Sequence, residues 1–291
     1  MNNIPILNIQ QFENLEPLEE FYSNSLDKHL DKNKDLVYKP HKHDFYLCIF
    51  FTQGTGIHEI DFYSYEVKPG SIFFLKPGQT HSWKFTSKPN GYIFFHTQSF
   101  YELNSSNHLL NQFPFYYSQK NTPSLYLKES EITELTIKFN ELNSEYYSNL
   151  VYQQIKINSL INSIYIDLAR HYIILKPKEG RSSLRYLETL RKLENEIDTN
   201  YLKEKSANYY AKKLNISSKH LNRIVKSTLD KTTSELISER ILLEAKRMIV
   251  HTNNSLNTIS ELLGYEDYAY FSRIFKSKTK ITPLAFKKKY S

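Results

Sequence analysis

One cysteine, Cys48, is all the chain has. That excludes an intrachain disulfide and any cysteine-rich zinc module. Long apolar runs are missing as well. The stretch Tyr46 to Phe51 (YLCIFF) fits one buried strand, and no run approaches the ~20 residues a membrane-spanning helix needs, so no membrane partner is expected. The opening MNNIPILNIQ has no basic segment leading into an apolar core. No signal peptide is expected, and a reducing cytoplasm is the expected compartment. Arginine is almost absent from the first 180 residues, where Arg170 stands alone.

What is present is unevenly spread over 291 residues, a length suited to two domains. Residues 181–291 hold 22 Lys and Arg against 12 Asp and Glu, a balance of +10, whereas residues 1–180 hold 16 against 19, a balance of −3; together they give the net +7. A basic third on a slightly acidic body is the electrostatic footprint of a polyanion-binding module.

Hydrophobic periodicity divides the chain. From about 35 to 100 the period is two. FYLCIFF, IHEIDFYSYEV, SIFFL, HSWKF and GYIFF are separated by Gly and Pro turn signals, the pattern of an antiparallel sandwich or barrel. From about 129 to 175 it becomes helical: Ile132, Leu135, Phe139 and Leu142 form one stripe, and Ile157, Leu160, Ile161, Ile164 and Leu168 another. This is a helical hairpin, expected either to cover the barrel or to pair with a second copy as a dimer contact. KPKEGRSS (176–183) reads as a linker. The expected division is therefore a barrel over 1–110, a hairpin over 111–175, a linker over 176–183 and a helical domain over 184–291: an α+β chain of two domains.

The helical part repeats itself. YAKKLNISSKHLNRIVKSTLDKTTSELI (210–237) and ISELLGYEDYAYFSRIFKSKTKITPLAF (259–286) align so that Leu221 matches Phe271, Arg223 matches Arg273, Lys226 matches Lys276, Thr232 matches Thr282 and Leu236 matches Phe286. Each copy has a short helix, a turn (Asn215-Ile216 or Gly264-Tyr265), an N-cap residue (Ser217 or Asp267) and a second helix. These are the parts of a helix-turn-helix, expected over about 208–229 and 258–279. Small Ala211 and Ser260 stand where the two helices must approach closely. In such a motif the second helix enters the major groove of double-stranded DNA. Its expected contacts are Ser218, Lys219, Asn222, Arg223 and Lys226 in the first copy, and Tyr268, Ala269, Tyr270, Arg273 and Lys276 in the second. Arg pairs with guanine and Asn with adenine, and the two lysines suit phosphates. A linker helix from Thr232 to about His251 separates the motifs. Ile237, Ile241, Ala245, Met248 and Ile249 give it an apolar face, with Glu239, Arg240, Glu244 and Arg247 as its polar side.

Residues ~184–291 resemble the DNA-binding domain of AraC-type transcriptional regulators. The resemblance rests on Gly264, Tyr265, Tyr270, Phe271, Ser272, Arg273, Phe275, Lys276, Thr282 and Pro283. It departs at Ile281, at Val225 where the second copy has Phe275, and in the Lys287-Lys288-Lys289 tail. It implies a promoter or operator as partner, a small-molecule effector, a homodimer and a contact with RNA polymerase.

The N-terminal region resembles a cupin barrel, through His41, His43 and Gly54 of one motif and Gly70, Gly78 and His81 of another. In catalytic cupins three histidines and a glutamate hold a divalent metal; here the glutamate position is Leu47, while alternation turns nearby Asp44 to the face opposite His43. No metal, no cofactor and no catalytic residue are therefore expected. His41, His43, His81 and Trp83 are expected to line an effector pocket. Two other readings stay open, a metal-dependent cupin enzyme fused to a DNA-binding module and a barrel that only dimerises.

Overall fold

The computed structural model describes residues 4–12, 18, 20–34, 38–103, 110, 113–117, 122–175 and 184–290. It divides into two compact units, Pro5–Pro177 and Lys178–Ser291. The expected linker at 176–183 lies outside the described residues.

In the first unit β1 (Ile6–Leu7), β2 (Phe21–Ser25), α1 (Leu26–Lys32) and β3 (Lys42–His43) precede the main strands. These are β4 (Tyr46–Gln53), β5 (Gly56–Ile60), β6 (Tyr63–Val67), β7 (Ser71–Leu75), β8 (His81–Phe85) and β9 (Asn90–His96). Then come α2 (Gln98–Leu103), α3 (Pro114–Tyr117), β10 (Ser124–Tyr126), α4 (Glu129–Tyr146) and α5 (Gln153–Leu175). One antiparallel sheet runs β10-β7-β4-β9-β2, a second runs β6-β5-β8, and β1 pairs with β3 in parallel.

Alternation along β4 explains why YLCIFF is continuously apolar. Leu47, Ile49 and Phe51 face a core shared with Ile60, Val67 and Trp83 of the smaller sheet. Cys48 and Phe50 face the opposite way, into a core built with Phe139, Ile161 and Leu168 of α4 and α5. A sheet covered on both faces needs apolar residues at every position.

The hairpin stripe is consumed by this second core. Ile157, Ile161, Ile164 and Leu168 are completely buried within their own chain. Their expected alternative role as a dimer contact is therefore corrected: burying them against the sheet leaves no stripe to offer a second copy. Exposed apolar residues of the hairpin lie elsewhere, in Ile137 on α4 and, at the tip, in Tyr147, Leu150, Val151, Tyr152 and Ile155.

The second unit is helical: α6 (Leu184–Asn200), α7 (Ala207–Lys213), α8 (Ser218–Leu229), α9 (Thr233–His251), α10 (Leu256–Leu262), α11 (Tyr268–Thr279) and α12 (Pro283–Tyr290). The two copies share their caps. Ser217 accepts from the His220 amide, and Asp267 from the amides of Ala269 and Tyr270. Thr232 accepts from Glu235, and Thr282 from Ala285. Asp230 and Lys280 end α8 and α11 in the left-handed conformation.

The turns use different residues for one backbone need. Asn215 takes φ +54° and Gly264 φ +74°. At Gly264 a Cβ would stand 2.3 Å from the Leu202 carbonyl oxygen. Gly264→Ala is expected to cost about 2 kcal/mol of stability, from a left-handed side chain driven against backbone. Chemical denaturation of the purified variant checks it.

Candidate functional site

The second helix of each motif presents its cations to solvent. Lys219, Arg223 and Lys226 on α8, and Arg273 and Lys276 on α11, are exposed. Among the described residues none of the five is paired with a carboxylate. The inner faces hold the helices down. Leu221, Ile224 and Val225 are buried in the first copy, Phe271 and Phe275 in the second. The matched Leu236 and Phe286 close the two cores. Ala211 and Ser260 are buried at the close approach, and their carbonyls accept from the turn amides of Ile216 and Tyr265, each at 3.0 Å.

An open groove along α8 is lined by Ser217, Lys219, His220, Asn222, Arg223, Lys226 and Ser227. Arg223 Nη2 donates to His220 Nδ1 at 2.7 Å, which steers the guanidinium along the helix. Sequence reasoning did not single out His220; its place one turn before Arg223 was the available signal. Ser218 turns back instead, its hydroxyl donating to Asn208 Oδ1 at 3.0 Å. On α11 the Arg273 guanidinium lies 6.0 Å from the ring of exposed Tyr270, Tyr268 is half-buried beside Phe271, and Ala269 is exposed.

Asn222 requires a correction. Its Oδ1 accepts from the Thr233 amide at 2.9 Å, at the first turn of α9. A bidentate pair with adenine needs both ends of the amide, and one end is already satisfying a helix-terminal N–H. The equivalent of Thr233 in the second copy is Pro283, which has no N–H to satisfy.

The polar side of α9 is turned largely into the protein. Arg247 is buried and Arg240 largely so. Arg240 Nε lies 2.7 Å from Asp198 of α6, its Nη1 lies 3.1 Å from Glu244, and its guanidinium stacks 4.0 Å from the Tyr201 ring centroid. Lys231 pairs with Glu239. Thus Lys231, Arg240 and Arg247 meet carboxylates of the scaffold, while among the described residues the five cations of α8 and α11 do not. Lys205 ties the two halves together: its Nζ donates to the carbonyls of Leu202 and Gly264, at 3.2 and 2.9 Å.

In the first unit the expected pocket residues do converge. His41 and His81 form an antiparallel bridge through both backbone hydrogen bonds, 3.1 and 2.9 Å. His43 Nε2 lies 3.0 Å from His81 Nε2, and Trp83 packs 4.7 Å from the His81 ring centroid. Asp44 is exposed on the other side of the strand, and Leu47 is buried in the shared core. None of His41, His43, His81 and Trp83 is more than 3 % exposed, so the four fill the interior instead of rimming an open cleft.

A fourth histidine joins them. His58 on β5 is fully buried, and its Nε2 lies 2.9 Å from His81 Nδ1. Alternation with buried Ile60 was the signal for it, obscured by apolar Ile57, which faces solvent. Burial, reinforced by His41, pushes His43 down to about 3 and holds His58 and His81 well below the usual imidazole range. All three are neutral at physiological pH.

Comparison with known proteins matches a model of the helix-turn-helix domain to residues 210–289. A model of the AraC-like ligand binding domain matches residues 26–98. Among similar proteins is an HTH-type transcriptional regulator of Bacillus subtilis (strain 168), YfiF, 23% identical over 86% of this chain and 79% of that protein. The HTH-type transcriptional activator RhaS of Mannheimia succiniciproducens is 24% identical over 85% and 88%. The lactose operon transcription activator of Staphylococcus xylosus is 24% identical over 82% of each chain.

Proposed function

The chain is built as an AraC-type transcriptional regulator, a ligand-binding domain followed by a helix-turn-helix domain, and from that premise we propose that it reads a promoter or operator through α8 and α11. The observation that carries the proposal is that Arg223 and Arg273, exposed and without a carboxylate partner among the described residues, stand at equivalent positions of two capped helices in one compact unit. The 19 residues of α9 that separate the two motifs span about 28 Å, close to the ~34 Å of one DNA turn. Both helices therefore suit successive major grooves on one face of the duplex. Arg223 and Arg273 take guanine. Ser218, Lys219, Tyr268, Ala269 and Tyr270 flank them, and Lys226 and Lys276 sit on phosphates.

The experiment is selection of bound duplexes from a random library by the full-length chain, followed by footprinting. Two protected segments about one helical turn apart on one face are expected. A single short segment would sink the two-groove reading, and failure to enrich any sequence would sink the function.

The first unit serves as the sensor of a small-molecule effector in this reading, with no catalytic role for the chain. A relative named for lactose operon activation makes sugars the first compounds to screen by thermal shift. A homodimer, a contact with RNA polymerase and a cytoplasmic location belong to the same proposal. The exposed apolar tip of the hairpin from Tyr147 to Ile155 is the face assigned to pairing. Among the described residues no helix is long and apolar enough to cross a membrane.

A further inference from the structure

The backbone around the four histidines decides which nitrogens carry hydrogen. A carbonyl oxygen only accepts. His41 Nδ1, 2.8 Å from the Lys39 carbonyl, and His43 Nδ1, 3.3 Å from the Phe45 carbonyl, are therefore both N–H donors. A neutral imidazole has a single N–H, so Nε2 of each ring is a bare lone pair. His43 Nε2 then accepts from His81 Nε2, which leaves His81 Nδ1 an acceptor for His58 Nε2–H. The relay ends on His58 Nδ1, a fully buried acceptor with no hydrogen-bond partner.

Two features of this arrangement go beyond packing. Ring nitrogens of His41, His43 and His81 all lie within 4.8 Å of one another. The rings of His41 and His43 are also oriented by backbone carbonyls on the far nitrogen, and that of His81 by His58, which is how protein frameworks set imidazoles toward a metal.

We propose that His41, His43 and His81 bind one divalent cation of the zinc class through their Nε2 atoms, with His58 as a positioning residue behind His81. A four-coordinate ion with bonds of about 2.0–2.1 Å needs its ligand nitrogens roughly 3.3 Å apart, so small side-chain rotations from the observed spacing complete the site. Three neutral imidazoles without a carboxylate select zinc, cobalt, nickel or copper over magnesium, calcium or manganese. The fourth position takes water or an anionic oxygen.

The proton arithmetic closes without loss. On binding, the His81 hydrogen moves from Nε2 to Nδ1 and is donated to His58 Nε2. The His58 hydrogen moves to its own Nδ1, the atom left unpaired in the metal-free relay. The proposal departs from the sequence-based expectation of no metal, which rested on Leu47 standing in place of a carboxylate. That expectation did not include a fourth imidazole. The site is independent of α8 and α11, and its test reads metal rather than DNA.

The full-length chain, stripped with chelator and exchanged into chelator-free buffer, is titrated with Co²⁺. One equivalent is expected, with the intense visible absorption of a four-coordinate ion, displaced stoichiometrically by Zn²⁺. His81→Ala and His41→Ala are each expected to weaken binding more than 100-fold. His41, at the sheet edge, is the companion in case the more central substitution unfolds the unit, with circular dichroism of the metal-free variants as the control. His58→Phe is expected to weaken affinity by about 10- to 100-fold with one-to-one stoichiometry and spectrum retained. His58→Gln, whose carbonyl still accepts from His81, restores most of it. Absence of binding overturns the site, and so does binding that survives His41→Ala in a folded protein. An unchanged affinity in His58→Phe overturns the positioning role.

Discussion

Replacing Arg223 and Arg273 together by alanine is expected to erase sequence discrimination while leaving the fold intact. Both side chains are exposed and neither is paired with a carboxylate, so no structural ion pair is lost. Each bidentate arginine–guanine pair is worth about 1–3 kcal/mol of discrimination. Two such pairs, far enough apart to add, correspond to a loss on the order of 30-fold to 10⁴-fold. Residual affinity is set by the lysines, which meet any sequence alike. Lys226→Ala and Lys276→Ala therefore serve as the contrast. Each weakens binding to selected and scrambled duplexes equally and lowers the salt slope by about one. Asn222→Ala is a second contrast, since its amide oxygen holds the Thr233 N–H; its effect falls on stability instead of base choice. Anisotropy titrations on the selected site and a scrambled duplex, at fixed salt, separate these outcomes. Retained discrimination in the double arginine variant would sink the assignment of the reading helices.

The helical unit was legible because its information is local. Caps, turns and the fifty-residue offset are written within a few residues of where they act, and Ser217, Asp267, Thr232 and Thr282 all accept from the amides that helix physics assigns them. The alternating strands were legible for the same reason. What the sequence left open are partners distant along the chain. The Ile157–Leu168 stripe announces a buried face but not what buries it, and the answer is the outer face of β4, β7 and β9. Arg240 looks like a solvated polar position until Asp198, 42 residues earlier, is seen beside it. His58 lies between the two cupin-like motifs and belongs to neither, so only the pairing of β5 with β8 brings it to His81.

Arg240→Ala is accordingly expected to destabilise the helical unit by about 2–4 kcal/mol. Removing one partner of a buried ion pair costs roughly 3–5 kcal/mol, because the remaining charge is left desolvated. Here Asp198 retains access to water, its side chain being 41% exposed, which relieves part of that penalty. Glu244 is less favourably placed at 22%, although Arg247 Nη1 stays 3.5 Å from it. The substitution also removes the stacking on Tyr201, about 1–2 kcal/mol for a desolvated guanidinium over an aromatic face. Arg240→Lys restores charge but not the planar fork that serves Asp198, Glu244 and the ring at once, so it recovers only part of the loss. The chain provides its own control. Its single tryptophan, Trp83, lies in the first unit, so urea unfolding followed by tryptophan fluorescence is expected to stay put while the helical transition seen by circular dichroism moves to lower denaturant. In a cycle with Asp198→Ala the double variant is expected to lose less than the sum of the singles; strict additivity would mean that Arg240 acts by packing alone. Because Arg240 anchors α9 to α6, a loosened α9 no longer fixes the distance between α8 and α11. The folded fraction of Arg240→Ala should then bind a two-groove site more weakly while keeping its preference at each half-site.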